Sequence, residues 1–146
     1  MKKILIALDY DLSAKKIAEI GFLLAKSMNA EVKLLHVILD LVDYSSSYIS
    51  MDPLQLNSLA ELQNSSQEFL NKIKYYLDDD SIQTLVKEGG FAEMILETAT
   101  EWDADVIVIG SHSKKWLEKI TMGSTCEKVF KRTTIPLLIV PTKKEE

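Results

Sequence analysis

Four short runs along the chain are almost continuously apolar: Ile4 to Leu8, Val32 to Leu39 (interrupted by Lys33 and His36), Val106 to Ile109, and Leu137 to Val140. They are rich in β-branched residues. Runs of this kind read as strands buried on both faces, the mark of a parallel sheet covered by helices. A fifth run, Ile82 to Lys87, is more mixed and predicts a strand at a sheet edge. Between the runs, apolar positions recur at steps of three and four. Ile17, Ile20, Leu24 and Met28 predict a first helix, with Ser13 as its N-cap. Leu59, Leu62, Phe69, Ile73 and Tyr76 predict a longer second one. Phe91, Ile95, Ala99 and Trp102, after Gly89-Gly90, predict a third; Cys126, Val129 and Phe130, after Gly123-Ser124-Thr125, predict a fourth. Five strands alternating with four helices make an α/β fold wound with right-handed crossovers. Pro136 and Pro141 bracket the last strand, which suits an edge position. The stretch from Asp40 to Pro53, with Tyr44-Ser45-Ser46-Ser47-Tyr48 at its centre, has turn composition and reads as a mobile loop or a long crossover.

The chain has 146 residues, 47% hydrophobic and 27% charged, which is the size and composition of one globular domain over residues 1–146. Net charge is −5, and Arg132 is the single arginine. Arginine forks are the usual readers of base edges and phosphates, so their scarcity argues against a nucleic-acid binder, and the acidic balance argues against a membrane surface. Cys126 is the single cysteine, no apolar stretch approaches a membrane span, and Ile4–Leu8 is too short for the apolar core of a signal peptide. These features predict a reduced, cytoplasmic protein.

The five glycines exclude the two best-known phosphate fingerprints. Neither G-x-G-x-x-G nor G-x-x-x-x-G-K-[ST] can be written with Gly21, Gly89, Gly90, Gly110 and Gly123. Gly21 falls inside a helical pattern and reads as a close-packing position. Gly110 directly follows a buried strand, at the end where open α/β sheets bind ligands, and a glycine there lets backbone approach a ligand closely. Thirteen residues later, Gly123-Ser124-Thr125 opens a helix. Two readings stand for it: an N-cap, or a phosphate site built from a helix amino terminus and two hydroxyls. Residues 105–132 carry six cations and three acids, net +3, leaving −8 for the remainder. Lys114, Lys115 and Lys119 lie between the two glycines, either as a solvated face or as a local attraction for polyphosphate.

Other chemistry is thinly supplied. His36 sits mid-strand and reads as structural. Two histidines and one cysteine build no H-E-x-x-H or C-x-x-C. Asp78-Asp79-Asp80 reads as a solvated turn rather than a cation site. Ser111, Ser113 and Ser124 neighbour His112, but no G-x-S-x-G elbow is present. Cys126 reads as a packed small hydrophobe, Trp102 as core-facing, and Trp116 as a lid or partner contact.

Gly110-Ser111-His112-Ser113, nine residues, then Gly123-Ser124 resembles the G-x-x-G-x9-G-[ST] motif of the universal stress protein family. Lys3 to Asp9 resembles that family's first strand with its terminal aspartate. Leu34 to Ile38, Ala104 to Gly110 and Ile135 to Pro141 resemble its second, fourth and closing strands. The resemblance implies a Rossmann-like, open five-stranded parallel sheet in the order 3-2-1-4-5 with helices on both faces. It also implies a homodimer through the C-terminal strand, residues 137–141. For the ATP-binding branch it implies ATP (or AMP or ADP) with Mg²⁺. Asp9 and Val37 would meet the adenine and ribose, Gly110 and Ser113 would line the first phosphate loop, and Gly123, Ser124 and Thr125 would hold the phosphates. No residue is marked as catalytic or as a protein metal ligand, so the expected role is a regulatory stress-response protein with at most slow ATP hydrolysis. The alternative is a non-nucleotide member acting as an interaction and dimerisation module. Two departures bear on that choice. Ser113 stands where the motif has glycine, and costs about 1–2 kcal/mol if the backbone there is left-handed. Tyr10 and Asp11 follow the first aspartate where small residues are usual, so Tyr10 either crowds the site or stacks near the base. A receiver domain shares the strand order but needs an aspartate after the third strand, where this chain has Val86-Lys87-Glu88-Gly89. An adenylating α-hydrolase relative needs a glycine-rich loop after the first strand, and Asp9 to Ser13 contains no glycine.

Overall fold

The computed structural model describes residues 2–39, 53–111 and 124–142, with side chains from residue 59 onward in the second of these segments. The elements in chain order are β1 (Lys3–Ala7), α1 (Ala14–Met28), β2 (Glu31–Ile38), α2 (Pro53–Leu77), β3 (Gln83–Glu88), α3 (Phe91–Trp102), β4 (Val106–Gly110), α4 (Ser124–Arg132) and β5 (Leu137–Val140). The strands form one sheet in the order β3-β2-β1-β4-β5, parallel throughout. Ile6 on the central strand pairs with Leu34 on one side and Val108 on the other. The mixed run is the edge strand β3, and the proline-bracketed run is the opposite edge, β5. Residues 40–52, most of the predicted loop, lie outside the described residues.

Strand periodicity divides the core in two. Ile4, Ile6, Leu34 and Val108 point to one face and pack with Ile17, Ala18 and Ala25 of α1 and Leu70 and Ile73 of α2. Leu5, Leu35, Val37, Ile107 and Ile109 point to the other and pack with Ala92, Ile95 and Ala99 of α3 and Cys126 and Val129 of α4. Alternate residues of each strand are therefore apolar for different helices, which is why the runs are continuous. His36 is buried on the first face. Its Nδ1–H donates to the Leu8 carbonyl at 2.9 Å, and its ring meets Phe69 edge-on. The structural reading of His36 holds. Trp102 packs against the second core with Lys33 Nζ 4.6 Å from its ring centroid.

Three helix-face expectations are corrected. Leu62 and Tyr76 of α2 and Phe130 of α4 are exposed, Phe130 at 56%. The spacing found the helices but overestimated the width of the buried stripe. Helix α4 rests on the sheet through Cys126 and Val129, and a residue directly after Val129 turns about 100° away. Ser13 is the N-cap residue of α1, as the sequence predicts. The Ser13 side chain makes no cap bond. Instead Asp11 Oδ1 accepts from the Ser13 N–H at 2.7 Å and from the Ser13 hydroxyl, and the Ser13 carbonyl accepts from the Ile17 N–H. Asp79 builds a similar turn with Ser81, whose N–H and hydroxyl hold its carboxyl below the usual range. Among the described residues no helix is long and apolar enough to cross a membrane.

Gly21 sets how closely α1 lies on the sheet. A Cβ there would sit 2.6 Å from Cδ1 of the fully buried Ile6 and 3.4 Å from Val108 Cγ1. On an exposed helix, Gly→Ala gains about 1 kcal/mol of helix propensity. Overpacking a tight core costs about 1–3 kcal/mol, and here that term is larger. Gly21→Ala is expected to lower the thermal midpoint by a few degrees; a raised midpoint would show that Ile6 yields freely.

Candidate nucleotide cleft

A cleft opens at the carboxyl ends of β1 and β4, where the sheet order reverses. Its cavity volume is about 70 Å³, and it is open to solvent on one side. Strand ends supply Ala7, Leu8, Leu35, Val37, Ile109, Gly110 and Ser111. The β1–α1 turn adds Asp9, Asp11 and Ser13, and α1 adds Ile17. Phe91 and Ile95 enter from the first turns of α3, and Thr125 and Cys126 from the first turn of α4. Parallel winding explains this convergence: each strand's carboxyl end feeds a helix, so helix amino termini gather on one rim. That rim offers N–H donors and positive partial charge, while the inner wall of Leu35, Val37, Phe91, Ile95 and Ile109 is apolar. The arrangement suits a ligand with a flat, weakly polar ring and an anionic tail.

Of the residues the sequence singles out, Asp9, Val37, Gly110 and Thr125 come together in this cleft although they are far apart in the chain. Ser124 is the first residue of α4, exposed, and does not line the cleft. Ser113 and Gly123 lie outside the described residues, as do His112, Trp116, Lys114, Lys115 and Lys119. Asp9 is half-buried; its Oδ1 accepts from the Tyr10 N–H at 2.9 Å, and its carbonyl accepts from the Asp11 N–H at 2.9 Å. The Tyr10 ring leaves the cleft entirely. It stacks on Phe69 with centroids 4.7 Å apart and lines a separate groove beside α2. Of the two readings for Tyr10, neither crowding nor base stacking describes it.

Gly110 has a different reason from the one the sequence suggests. A Cβ there would lie 2.6 Å from Ile17 Cδ1 and 3.0 Å from Thr142 Cγ2. The missing side chain makes room for α1 and for the chain beyond β5. Ser111 is buried and structural: its N–H donates to the Val140 carbonyl at 2.9 Å, and its Oγ accepts from the Thr142 N–H at 3.0 Å.

The match to the universal stress protein family spans residues 1–141. The chain belongs to that family. The universal stress protein MJ0531 of Methanocaldococcus jannaschii is 33% identical over 148 residues, spanning 99% of this chain and 85% of that relative. Among solved structures, the hypothetical protein MJ0577 superposes with a TM-score of 0.79 at 27% identity, over 99% of this chain and 98% of its own. A universal stress protein in complex with cAMP shares the fold, with a TM-score of 0.63 at 18% identity over 95% of each chain. The Rossmann-like α/β architecture of the family and its strand order are those of this chain.

Sequence reasoning missed Asp11, Ile17, Phe91, Ile95 and Cys126 as cleft residues. Phe91, Ile95 and Cys126 carried the signal of a core face, and a cleft cut into a core has the same pattern. Cys126 is 3% exposed, and burial pushes its thiol up from the usual range. The thiolate is the reacting form, so alkylation of the native protein at pH 8 is expected to run at least tenfold slower than in denaturant. Equal rates would show that the cleft admits reagent to Cys126.

Proposed function

We propose that the chain is an adenine-nucleotide-binding regulatory member of the universal stress protein family. The observation that carries this reading is the convergence of Asp9, Val37, Gly110 and Thr125 on one cleft whose rim is the amino end of α4. The complex of one family member with cAMP supports a nucleotide as the ligand class. The residues present fit such a ligand. The apolar wall receives the base, the Asp9 carboxylate accepts from ribose hydroxyls, and the first turn of α4 faces the phosphates. A triphosphate would enter with Mg²⁺ on its phosphates. The reading is a binding protein with at most slow hydrolysis.

Calorimetric titration with MgATP and AMP tests this. Binding in the micromolar to millimolar range is expected, and Asp9→Ala weakens it by about tenfold or more through loss of charge-assisted hydrogen bonds. Absence of heat and of thermal stabilisation at millimolar nucleotide rejects the proposal and leaves the interaction-module reading.

We further infer a homodimer through β5. Among the described residues β5 pairs with β4 alone. The carbonyls of Pro136 and Val140 are taken by Ile107 and Ser111, so parallel-ladder alternation turns the N–H and C=O of Leu137 and Ile139 outward. Leu137, Leu138 and Ile139 are only half-buried in one chain. Such an edge pairs readily with a second copy. Sedimentation equilibrium is expected to give twice the mass of the chain at micromolar concentration; a monomer mass refutes it.

A further inference from the structure

Asp11 is the charged residue of the cleft that the nucleotide reading leaves without a role. It stands two residues beyond Asp9 on the rim between the cleft and the α2 groove, and it lines both. Its carboxylate is fixed there, because Oδ1 holds the Ser13 N–H and hydroxyl. The turn does not explain the charge: an asparagine side chain accepts from the N–H two residues on as an aspartate does. Among the described residues lining the cleft, the ionisable side chains of full charge are Asp9 and Asp11, with no lysine or arginine. The nearby Lys16 is turned to the end of β5, where its Nζ donates to the Pro141 carbonyl at 2.8 Å.

We propose that Asp11 makes the cleft selective by ligand charge, favouring a cyclic or simple nucleoside monophosphate, or a triphosphate already chelated by a divalent cation, over a free triphosphate. The proposal rests on the nucleotide reading above and deepens it. Asp11 and Thr125 of the α4 amino end line the same cleft, so a ligand anion held at that helix end would face the Asp11 carboxylate. A unit pair about 8 Å apart in a water-like medium changes affinity by about twofold, so the span from cyclic monophosphate to free triphosphate amounts to about tenfold at low salt. At about 0.15 M salt the screening length is about 8 Å and most of that discrimination fades. A purely structural role for Asp11 would weaken all ligands alike and would not vary with salt.

The test is calorimetric titration of the full chain with cAMP, AMP, MgATP, and ATP in EDTA. Wild type is compared with Asp11→Asn, which keeps the oxygen that Ser13 binds, and with Asp11→Ser, which offers a smaller neutral acceptor. In both variants at low salt, affinity for free ATP is expected to rise about tenfold relative to cAMP, with MgATP and AMP between, and the gain is expected to shrink in high salt. An unchanged ratio of free ATP to cAMP in either folded variant overturns the proposal while leaving the nucleotide reading intact. If wild type binds none of the four nucleotides, the nucleotide reading itself fails, and this inference with it.

Discussion

The reversal of winding at β1 is the constraint from which the site follows. The chain steps from β1 to β2 to β3 in one direction across the sheet, then returns past its starting strand to β4 and β5. Right-handed crossovers place helices made in one direction on one face, and those made in the other direction on the opposite face. Hence α1 and α2 share the core of Ile6 and Leu34, while α3 and α4 share that of Leu5 and Ile107. Between β1 and β4 the outgoing segments part to opposite faces, and the space they leave at the carboxyl ends is the cleft.

A helix brought so close to a central strand needs small residues beneath it, and two glycines meet that need. Gly21 lets α1 descend onto Ile6, and Gly110 lets Ile17 of the same helix reach the end of β4. The amino end of α1, with Asp11 bonded to its N-cap Ser13, is thereby fixed beside the cleft. Packing of the first core and placement of cleft residues are thus one problem, and a change at Gly110 would act on the site through Ile17 rather than through a ligand.

Much of the fold was legible because parallel strands advertise themselves. Residues such as Leu5 and Ile6 must both be apolar, and no solvent-facing register interrupts them. The helices were legible as periods but not as faces: Leu62, Tyr76 and Phe130 fit the spacing and yet are exposed, since period says nothing about how wide a stripe the sheet covers. The site divided similarly. Asp9 and Thr125 were marked by the family resemblance, and Gly110 also by its place at the end of a buried strand. Phe91, Ile95 and Cys126 were not, because apolar residues on a helix face look alike whether they meet a strand or a cavity. Ser13 was legible as the N-cap position, but not in what its side chain does there. A serine just before a helix commonly caps it with its side chain, but here the Ser13 hydroxyl is engaged as a donor to the Asp11 carboxylate two residues earlier.

Tyr10 shows how the turn bearing the carboxylates is held independently of any ligand. Asp9 and Asp11 line the cleft, while the intervening side chain turns to the opposite face and stacks on Phe69. Phe69 meets the edge of His36, and His36 holds the carbonyl of Leu8, the residue just before Asp9. The chain from Leu8 to Asp11 is therefore tied by a buried hydrogen bond at one end, by the Asp11–Ser13 hydrogen bonds at the other, and by an aromatic contact between them. Restraint of this kind removes ordering cost from ligand binding, because the groups that meet the ligand are already in place. A large residue in a position where small ones are usual does not by itself argue against a binding site; what matters is the face onto which the backbone turns it.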